Sequence, residues 1–469
     1  MLLTIVFGRA VQFFVALLTI RVSTSILPPG EMGRNSLIMA MIAVFLMVFI
    51  SPVGNLINRK LHGWVKSGEV GRYMAYFFIY VCIVSVLSSW LSYFLLYTSI
   101  SGVTLLTGMV IVGYMLCNTI FQTYIPSLNL MGDYKRFVIY TAIASIVGLV
   151  FSSLAVLFIS RTAEYWLMGL LGGYLLVGVF GARVFHRQYS VTVSLFRSES
   201  LSFRPFIGFC LPLSAVSGCY WLQAQGYRFI AEEFAGLEAL GFFVIGYGIS
   251  AGLFAAYESV VVTYLQPKFY REVSEGDENG SSSKQAWLDY AFIMAPLSIC
   301  VFALIVTSSG QLVDVLVADS YLDCKQFVIW GALAELLRIL TGMTSLYTHA
   351  RMDTKKLIKP AAYSGLLAIM LSILLVPELG LHGAGLAVSL AGMFGFILVQ
   401  RHYLSEFFEV VKKMFRRDFV FSLMFITLSS LIINEFSVLI PSIIALLAKA
   451  SVFCLCVWLF FVKKIKVVG

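Results

Sequence analysis

Six of the ionisable residues inside long apolar segments of the sequence are candidates for a functional role. They are Arg9, Arg21, Arg228, Glu258, Glu335 and Arg338. A charged side chain within a membrane is costly, so each of them is a functional candidate by default. Arginine suits phosphate because its planar guanidinium donates two parallel hydrogen bonds to it. The four arginines therefore predict a binding site for an anionic ligand inside the membrane.

Arg338 is the strongest of these candidates. It lies about 18 Å into its apolar segment at 1.5 Å per residue, close to the middle of a bilayer. Glu335 precedes it by one helical turn, so either Arg338 faces a cavity or the two residues form an ion pair that neutralises both. Glu258 lies near the predicted inner end of another segment. We assign Glu335 and Glu258 to charge pairing or proton coupling, with an interfacial role as the alternative for Glu258.

The other three arginines lie nearer the ends of their segments. Arg21 and Arg228 approach the predicted outer side, where together they would flank an anionic ligand or, alternatively, each would extend to the lipid headgroups. Arg9 lies about 10 Å from the predicted inner end of the first segment. Gln12 is on a nearby face, and cavity lining and headgroup contact are equal alternatives for Arg9.

Four further polar residues within apolar segments receive structural assignments. Lys449 is expected to extend its amine to the headgroups. Gln122, Gln223 and Gln225 are expected to hydrogen-bond between helices, which is the usual role of an amide within a membrane.

The elements that position these side chains are predicted to be membrane-spanning helices. Of the 469 residues, 60% are hydrophobic and 12% are charged, against about 25% charged in a soluble domain. A spanning helix needs roughly 20 apolar residues, and the alternating segments typical of a membrane barrel are missing from the sequence. We predict an all-α integral membrane protein with about 14 transmembrane helices. Their approximate ranges are 2–27, 35–57, 73–97, 102–127, 137–159, 165–186, 204–230, 238–264, 287–308, 326–350, 357–376, 381–403, 419–436 and 439–463.

Basic residues between the segments predict the topology. With the N-terminus in the cytoplasm, the inner breaks hold 25 of the 33 Lys and Arg residues, the outer breaks hold Arg34, Arg161 and Lys325, and five lie within spans. Lysine and arginine accumulate on the cytoplasmic side, so both termini are predicted to be cytoplasmic. The basic residues on the cytoplasmic side account for the net charge of +9, so the charge does not indicate a nucleic-acid partner. The apolar N-terminus is predicted to be the first span and not a cleaved signal.

Sequence signatures of metal or nucleotide chemistry are missing. The eight cysteines show no metal-ligand spacing and lie mostly in apolar segments, where we expect small buried side chains. Neither a G-x-x-x-x-G-K-[ST] phosphate loop nor an H-E-x-x-H pair occurs in the sequence. We therefore expect no metal, no cofactor and no enzymatic activity, and leave open whether protons or sodium drive the protein.

Two pairs of sequence stretches indicate an internal repeat. Leu27–Gly33 and Ala235–Gly241 each end in glycine before an apolar span, at an offset of 208 residues (33 to 241). Gly132–Arg136 resembles Met352–Lys356 at an offset of 220 (132 to 352). The helices that the repeat pairs are separated by an even number of spans, so both halves have the same orientation in the membrane. This predicts a parallel pseudo-twofold repeat with the substrate path between the halves.

The repeat divides the chain into predicted regions. Residues 1–190 form an N-lobe of six spans, 191–203 a cytoplasmic linker, and 204–403 a C-lobe of six spans. Residues 404–469 add two C-terminal spans and a basic tail.

Three motifs resemble those of polysaccharide flippases in the multidrug/oligosaccharidyl-lipid/polysaccharide exporter superfamily. Leu27-Pro-Pro-Gly-Glu-Met-Gly33 resembles the family's L-G-P-E-x-F-G turn, and Arg21 lies six residues before it, near a position where the family often has arginine. Leu237–Phe243 resembles the matching turn before span eight. Val376–Ala387 resembles the P-x-x-G-x-x-G-A-A-x-A entry to span twelve, in which the glycines allow a tight turn and close helix approach. The resemblance covers roughly residues 1–403.

This resemblance implies a two-lobed transporter that moves undecaprenyl-pyrophosphate-linked oligosaccharide units for O-antigen, capsule or exopolysaccharide by alternating access. It also implies a bacterial inner membrane, lipid contacts, and a polysaccharide polymerase and chain-length regulator as partners. A cation-coupled multidrug exporter of the same superfamily would need a buried carboxylate in the first lobe, where all five acids fall in predicted breaks. A peptidoglycan-precursor flippase would show a paired arginine pattern in its first span, and this sequence does not match that pattern. A membrane polysaccharide polymerase or ligase would carry a large outer loop, whereas the outer breaks of this sequence are short.

Overall fold

The computed structural model describes residues 2–99, 104–189, 203–275, 281–350, 354–414, 417–436 and 441–468. These residues are almost entirely helical and form no strand, as predicted. Eleven described helices are long and apolar enough to cross a membrane, and two shorter apolar helices match the thirteenth and fourteenth predicted spans. One of the eleven, Ile207–Val262, contains both the seventh and the eighth predicted spans. The described residues of all fourteen predicted segments are therefore mainly helical, and the chain is a multi-pass membrane protein.

The chain forms two compact units, Met1–Gly241 and Phe242–Gly469. The helices of the first unit are α1 (Leu2–Ile26), α2 (Pro29–Phe45), α3 (Ser51–Ser67), α4 (Val70–Ser99), α5 (Leu105–Leu130), α6 (Tyr134–Phe158), α7 (Ala163–Gln188), α8 (Phe203–Trp221) and the first part of α9 (Tyr227–Glu275). Short π-helical segments, Leu46–Ile50 and Leu222–Gly226, continue α2 into α3 and α8 into α9.

The second unit begins within α9. Its further helices are α10 (Ser281–Thr307), α11 (Ser309–Leu316), α12 (Lys325–Ala350), α13 (Ile358–Leu379), α14 (Leu381–Gln400), α15 (Leu404–Met414), α16 (Arg417–Phe436) and α17 (Ser442–Val468). Short 3₁₀ segments, Asp319–Cys324 and Thr354–Leu357, precede α12 and α13.

The boundary between the compact units lies one helix beyond the predicted lobe boundary. The seventh predicted span packs within the first unit, where the indole of Trp221 donates a hydrogen bond of 2.8 Å to the carbonyl of Ala40. Residues 191–202 of the predicted linker and 352–353 of the second repeat motif lie outside the described residues. The lobe limits 1–190, 204–403 and 404–469 stay a prediction.

The two stretches of the 208-residue repeat contact each other through their glycines. A Cβ atom on Gly33 would overlap the carbonyl of Leu237, and a Cβ on Gly241 would overlap the carbonyl of Pro29. Since Leu237 is the repeat equivalent of Pro29 (29 plus 208), the two contacts are the same contact made twice. A reciprocal contact of this kind is the property of a twofold axis, here between two pieces of one unit.

Glycine also permits the turns and close packing that the sequence predicted. Gly236 has a φ of 83° at the kink inside α9, and Gly380 has a φ of 57° between α13 and α14, a region that side chains with a Cβ disfavour. A Cβ on Gly383 would overlap the carbonyl of Leu375, and one on Gly385 would overlap the indole of Trp330. The predicted tight turn and close helix approach at the entry to α14 are confirmed.

Two short helices occupy breaks that the sequence left without structure. α11 lies in the predicted outer break near 309–325, and α15 lies in the predicted inner break near 401–418. α15 places apolar residues at 404, 407, 408 and 411, the spacing of one helical face. A short amphipathic helix averages out as polar over a span-length window, so a search for long apolar segments does not find it.

Candidate functional site

The first unit encloses a cavity of about 440 Å³ between α1, α3, α5, α6 and α7, called the Arg9 cavity below. Its polar lining consists of Arg9, Gln12, Asn58, Gln122, Asn129, Thr141, Ser145 and Tyr174. Helical spacing gathers these side chains, because residues three, four or seven apart lie on one helix face. Gln122 and Asn129 are seven apart on α5, and Thr141 and Ser145 are four apart on α6.

Arg9 is held in the cavity wall by neutral groups. Its Nη1 donates a hydrogen bond of 3.1 Å to Oε1 of Gln12, and Nε2 of Gln12 donates to the hydroxyl of Thr141. The guanidinium lies 5.8 Å from the centroid of the Phe137 ring, a favourable cation–π distance. Nε of Arg9 is buried and has no hydrogen-bond partner among the described residues. Arg9 is therefore oriented by its neighbours, and the described protein groups do not satisfy all of its donors.

The Arg9 cavity carries an uncompensated positive charge. No aspartate or glutamate is among its described lining residues, and Arg9 forms no ion pair with any residue in the described part of the chain. In surroundings less polar than water a single charge attracts an opposite charge more strongly. An arginine without a neighbouring carboxylate is suited to an anionic ligand.

The second unit holds an arginine in the opposite situation. Arg338 donates from Nη2 to Glu258 on α9 and from Nε to Glu335 on its own helix, each at 2.7 Å. The hydroxyl of Tyr247 donates to the same Glu335 at 3.3 Å. Glu335 is nearly buried, whereas about half of the Arg338 side chain is exposed. The structure thus brings Arg338, Glu335 and Glu258 together, called the Arg338 cluster below, and with all three ionised its net charge is −1.

The fold is shared with solved membrane transporters. No known protein family and no curated protein matches the sequence. The structure is similar to lipid II flippase MurJ in an inward closed conformation, with 14% identity, 99% of both chains covered and a TM-score of 0.66. It is similar to an inward-facing multidrug resistance MATE transporter of the MOP superfamily, with 13% identity, 86% of this chain and 98% of the other covered, and a TM-score of 0.60.

A third similar structure is a MOP-superfamily transporter from Pyrococcus furiosus, described as having a binding pocket of reverse polarity that suggests a different function. It has 15% identity, covers 87% of this chain and 94% of its own, and has a TM-score of 0.55. The chain has the fold of MOP-superfamily transporters. At this level of identity the likeness shows the fold alone.

Within the MOP fold, Arg21 and Arg228 have different surroundings. Arg228 is half-buried, donates from Nη1 to the carbonyl of Ser36 at 3.2 Å, and lies 5.9 Å from the Tyr227 ring centroid. Arg21 is exposed on α1. Their assignment to a shared diphosphate site stays a prediction.

The first unit of this MOP fold does contain a buried carboxylate, contrary to the expectation that its acids lie in breaks. Glu164 is buried in the first turn of α7 and forms an ion pair of 2.6 Å with Arg34. The hydroxyl of Thr107 also donates to it at 2.8 Å. The sequence placed Glu164 one residue before its span, and only the fold shows that the helix starts earlier. Since Arg34 neutralises it, Glu164 adds no net negative charge to the unit.

The expectation that Lys449 reaches the headgroups is wrong. The side chain is 1% exposed and its amine donates to the carbonyl of Thr307 at 2.9 Å, to Gln311 at 3.0 Å and to Asn434. The three ammonium hydrogens thus have three oxygen acceptors, supplied by α10, α11 and α16. A lysine can stay in the membrane interior when neighbouring helices satisfy its donors, and this could not be foreseen from one helix alone.

Sequence reasoning also missed three amides of the Arg9 cavity. Asn58 and Asn129 were counted with polar breaks, and Gln122 was expected to hydrogen-bond between helices. All three line the cavity, and no hydrogen-bond partner of their side chains is found among the described residues. The spacing of Gln122 and Asn129 on one face of α5 was the available signal. Within the described residues, no group of three or more His, Cys, Asp or Glu residues is arranged to hold a metal ion.

Proposed function

We propose that this chain is a flippase for undecaprenyl-pyrophosphate-linked oligosaccharide units. It moves these units across the bacterial inner membrane, by alternating access, for synthesis of O-antigen, capsule or exopolysaccharide. The observation that carries the proposal is the Arg9 cavity, a polar space of about 440 Å³ inside a membrane unit with one arginine and no lining carboxylate among the described residues. A diphosphate is an anion that an arginine fork recognises well.

The place of the cavity in the chain supports uptake from the inner leaflet. Asn129 lies at the end of α5, and Asn58 lies in α3 directly after the predicted second span, so both border the basic breaks predicted near 58–72 and 128–137. Those breaks are predicted to be cytoplasmic. A lipid-linked sugar is assembled on that side, and an anion site open to it would receive the diphosphate first.

The Arg338 cluster receives a different assignment in this proposal. Two carboxylates already compensate the guanidinium, so it has little positive charge left for a second anion. We assign the cluster to charge pairing between α9 and α12, with proton or sodium coupling through Glu258 and Glu335 as its use during transport. Arg21 and Arg228 are assigned to the outer part of the substrate path. A polymerase and a chain-length regulator are the protein partners that this function requires.

The MurJ neighbour makes a peptidoglycan-precursor flippase one competing function of the same fold, and the MATE neighbours make the multidrug exporter another. The charge of the site argues against the exporter, because a drug exporter coupled to a cation needs a carboxylate free to bind that cation. The buried carboxylate of the first unit, Glu164, is paired with Arg34. An anionic substrate fits an arginine without a carboxylate better than a cationic drug does.

A deletion strain analysed for lipid-linked sugars tests the proposal. We expect single undecaprenyl-pyrophosphate-linked units to accumulate on the cytoplasmic leaflet and surface glycan to be lost. Unchanged glycan with altered drug tolerance would replace the flippase by the exporter. Single units that reach the outer leaflet and remain unpolymerised would replace it by the polymerase.

A further inference from the structure

The Arg9 cavity is lined by four side-chain amides, and the three other than Gln12 are the unexplained feature of the site. Asn58, Gln122 and Asn129 come from two helices and face the same space. Gln122 and Asn129 are exposed within the cavity, and Asn58 is half-exposed. None of the three side chains has a hydrogen-bond partner in the described part of the chain. An amide inside a membrane unit is unfavourable unless a ligand or water satisfies it.

The hydrogen-bonding type of these groups differs from that of Arg9. A guanidinium only donates, which matches a diphosphate because ionised phosphate oxygens only accept. A side-chain amide both donates and accepts. A hydroxyl or an acetamido group likewise both donates and accepts hydrogen bonds, and sugars carry several of these groups. The amides are therefore of little extra use for a bare diphosphate and well suited to a sugar.

The arrangement of the amides fits a ligand that extends away from Arg9. Gln122 and Asn129 lie two turns apart on one face of α5, about 10 Å at 1.5 Å per residue. Asn58 belongs to α3 and Arg9 to α1, so the amides and the cation belong to different walls. Phe121 and Tyr174 supply flat apolar surface in the same lining. The volume of about 440 Å³ is within the range of small-molecule pockets, roughly 300–1,000 Å³.

We infer that Asn58, Gln122 and Asn129 form a carboxamide subsite for the sugar that is attached directly to the diphosphate. This inference rests on the proposed function and adds the part of the substrate that the cavity recognises. Arg9 binds the diphosphate, and the carboxamide subsite binds hydroxyl or acetamido groups of the first sugar. The cavity thereby distinguishes a lipid carrier loaded with sugar from the empty carrier.

The test compares two lipid probes on the full-length protein in nanodiscs. One probe is undecaprenyl diphosphate, and the other is undecaprenyl diphosphate N-acetylglucosamine. We expect the wild-type protein to bind the sugar-bearing probe at least about fivefold more tightly, because a site built for hydroxyl groups rejects a ligand that lacks them. In Gln122→Met/Asn129→Leu, which keeps the side-chain size and removes the amides, the preference should fall to about one while affinity for the bare probe stays the same.

A matched pair of variants on α3 separates recognition from folding. Asn58→Leu should lower the sugar preference, and Asn55→Leu should leave it unchanged, since Asn55 is an exposed asparagine of the same helix outside the cavity lining. Retention of the full preference in both amide variants, or an equal loss of affinity for both probes, would overturn the inference.

The two proposals fail in different ways in this experiment. If the wild-type protein binds both probes equally, the carboxamide subsite is refuted and the flippase function stands. If it binds neither probe, the flippase function is refuted and the subsite falls with it. A preference that survives Arg9→Gln but not the amide variants would keep the subsite and remove Arg9 from the diphosphate site.

Discussion

The Arg9 cavity and the Arg338 cluster each contain an arginine inside a membrane unit, and their neighbours give them opposite properties. Arg9 contacts an amide and an aromatic ring, so its charge is not cancelled. Arg338 contacts two carboxylates, so its charge is more than cancelled. An arginine inside a membrane unit is thus not by itself an anion site. The partners decide whether it binds a ligand or stabilises the protein.

The largest effect is expected at Arg9. Arg9→Gln should lower translocation of the lipid-linked unit at least about tenfold, which corresponds to about 1.4 kcal/mol of lost binding, because the cavity loses its only charge among the described lining residues. Reconstituted vesicles with labelled substrate measure it. Arg9→Lys is the control and should retain part of the activity, since it keeps the charge and loses the fork. Wild-type activity in Arg9→Gln would show that the uncompensated arginine is not the anion site.

A carboxylate placed beside Arg9 would make the cavity resemble the cluster. In Gln12→Glu the new carboxylate would take the position of an amide that already accepts a hydrogen bond of 3.1 Å from Arg9. We expect translocation to fall about fivefold, because the ion pair cancels the charge offered to the substrate. Thermal stability should hold or rise. Gln12→Met is the matched control, and a similar loss in both variants would mean that charge cancellation is not the cause.

The Arg338 cluster should respond as a structural element. Arg338→Gln leaves Glu258 and Glu335 without their cation, and we expect stability to fall by about 1–2 kcal/mol, with water around the half-exposed side chain limiting the cost. The melting temperature of the purified protein shows the change. Arg338→Gln/Glu335→Gln should recover most of the loss. If the double variant is stable and yet inactive in translocation, Arg338 belongs to the substrate path after all.

The smallest effect is expected at Tyr247. Tyr247→Phe removes one hydrogen bond of 3.3 Å to Glu335, which Arg338 continues to hold. Stability should fall by about 1 kcal/mol or less, and translocation should stay within about twofold of wild type. Tyr363→Phe, on the exposed surface of α13, serves as the comparison. A large loss of translocation at unchanged stability would make the Tyr247 hydroxyl part of the coupling pathway.

Much of the fold could be predicted from the sequence, because a membrane-spanning helix requires a long and uniformly apolar segment. Each predicted span corresponds to a helix, since an apolar segment of that length can satisfy its backbone in lipid only as a helix. The glycines at 33 and 241 pointed to the repeat, and the reciprocal contact between them follows from the same offset. The helix boundaries were less accurate, and the early start of α7 turned Glu164 from a loop residue into a buried ion pair.

The candidate site was only partly accessible to sequence reasoning. Arg9 and Arg338 stood out as charges in apolar segments, and the intrahelical pair of Glu335 with Arg338 followed from their spacing of three residues. The sequence ranked Arg338 above Arg9, because depth in the membrane was the available measure. The contact with Glu258, which lies 80 positions earlier in the chain, changes that ranking.

The sequence by itself determined that this is an all-helical, multi-pass membrane protein with arginines inside its spans, because composition and periodicity act over single helices. Only the tertiary structure decided what surrounds each charge. It gave Arg338 two carboxylates, left Arg9 with neutral partners, enclosed Lys449 among three oxygens and turned three amides toward one cavity. The physical reason is that the role of a charge in a membrane depends on the neighbours brought by other helices, and those neighbours are distant in sequence.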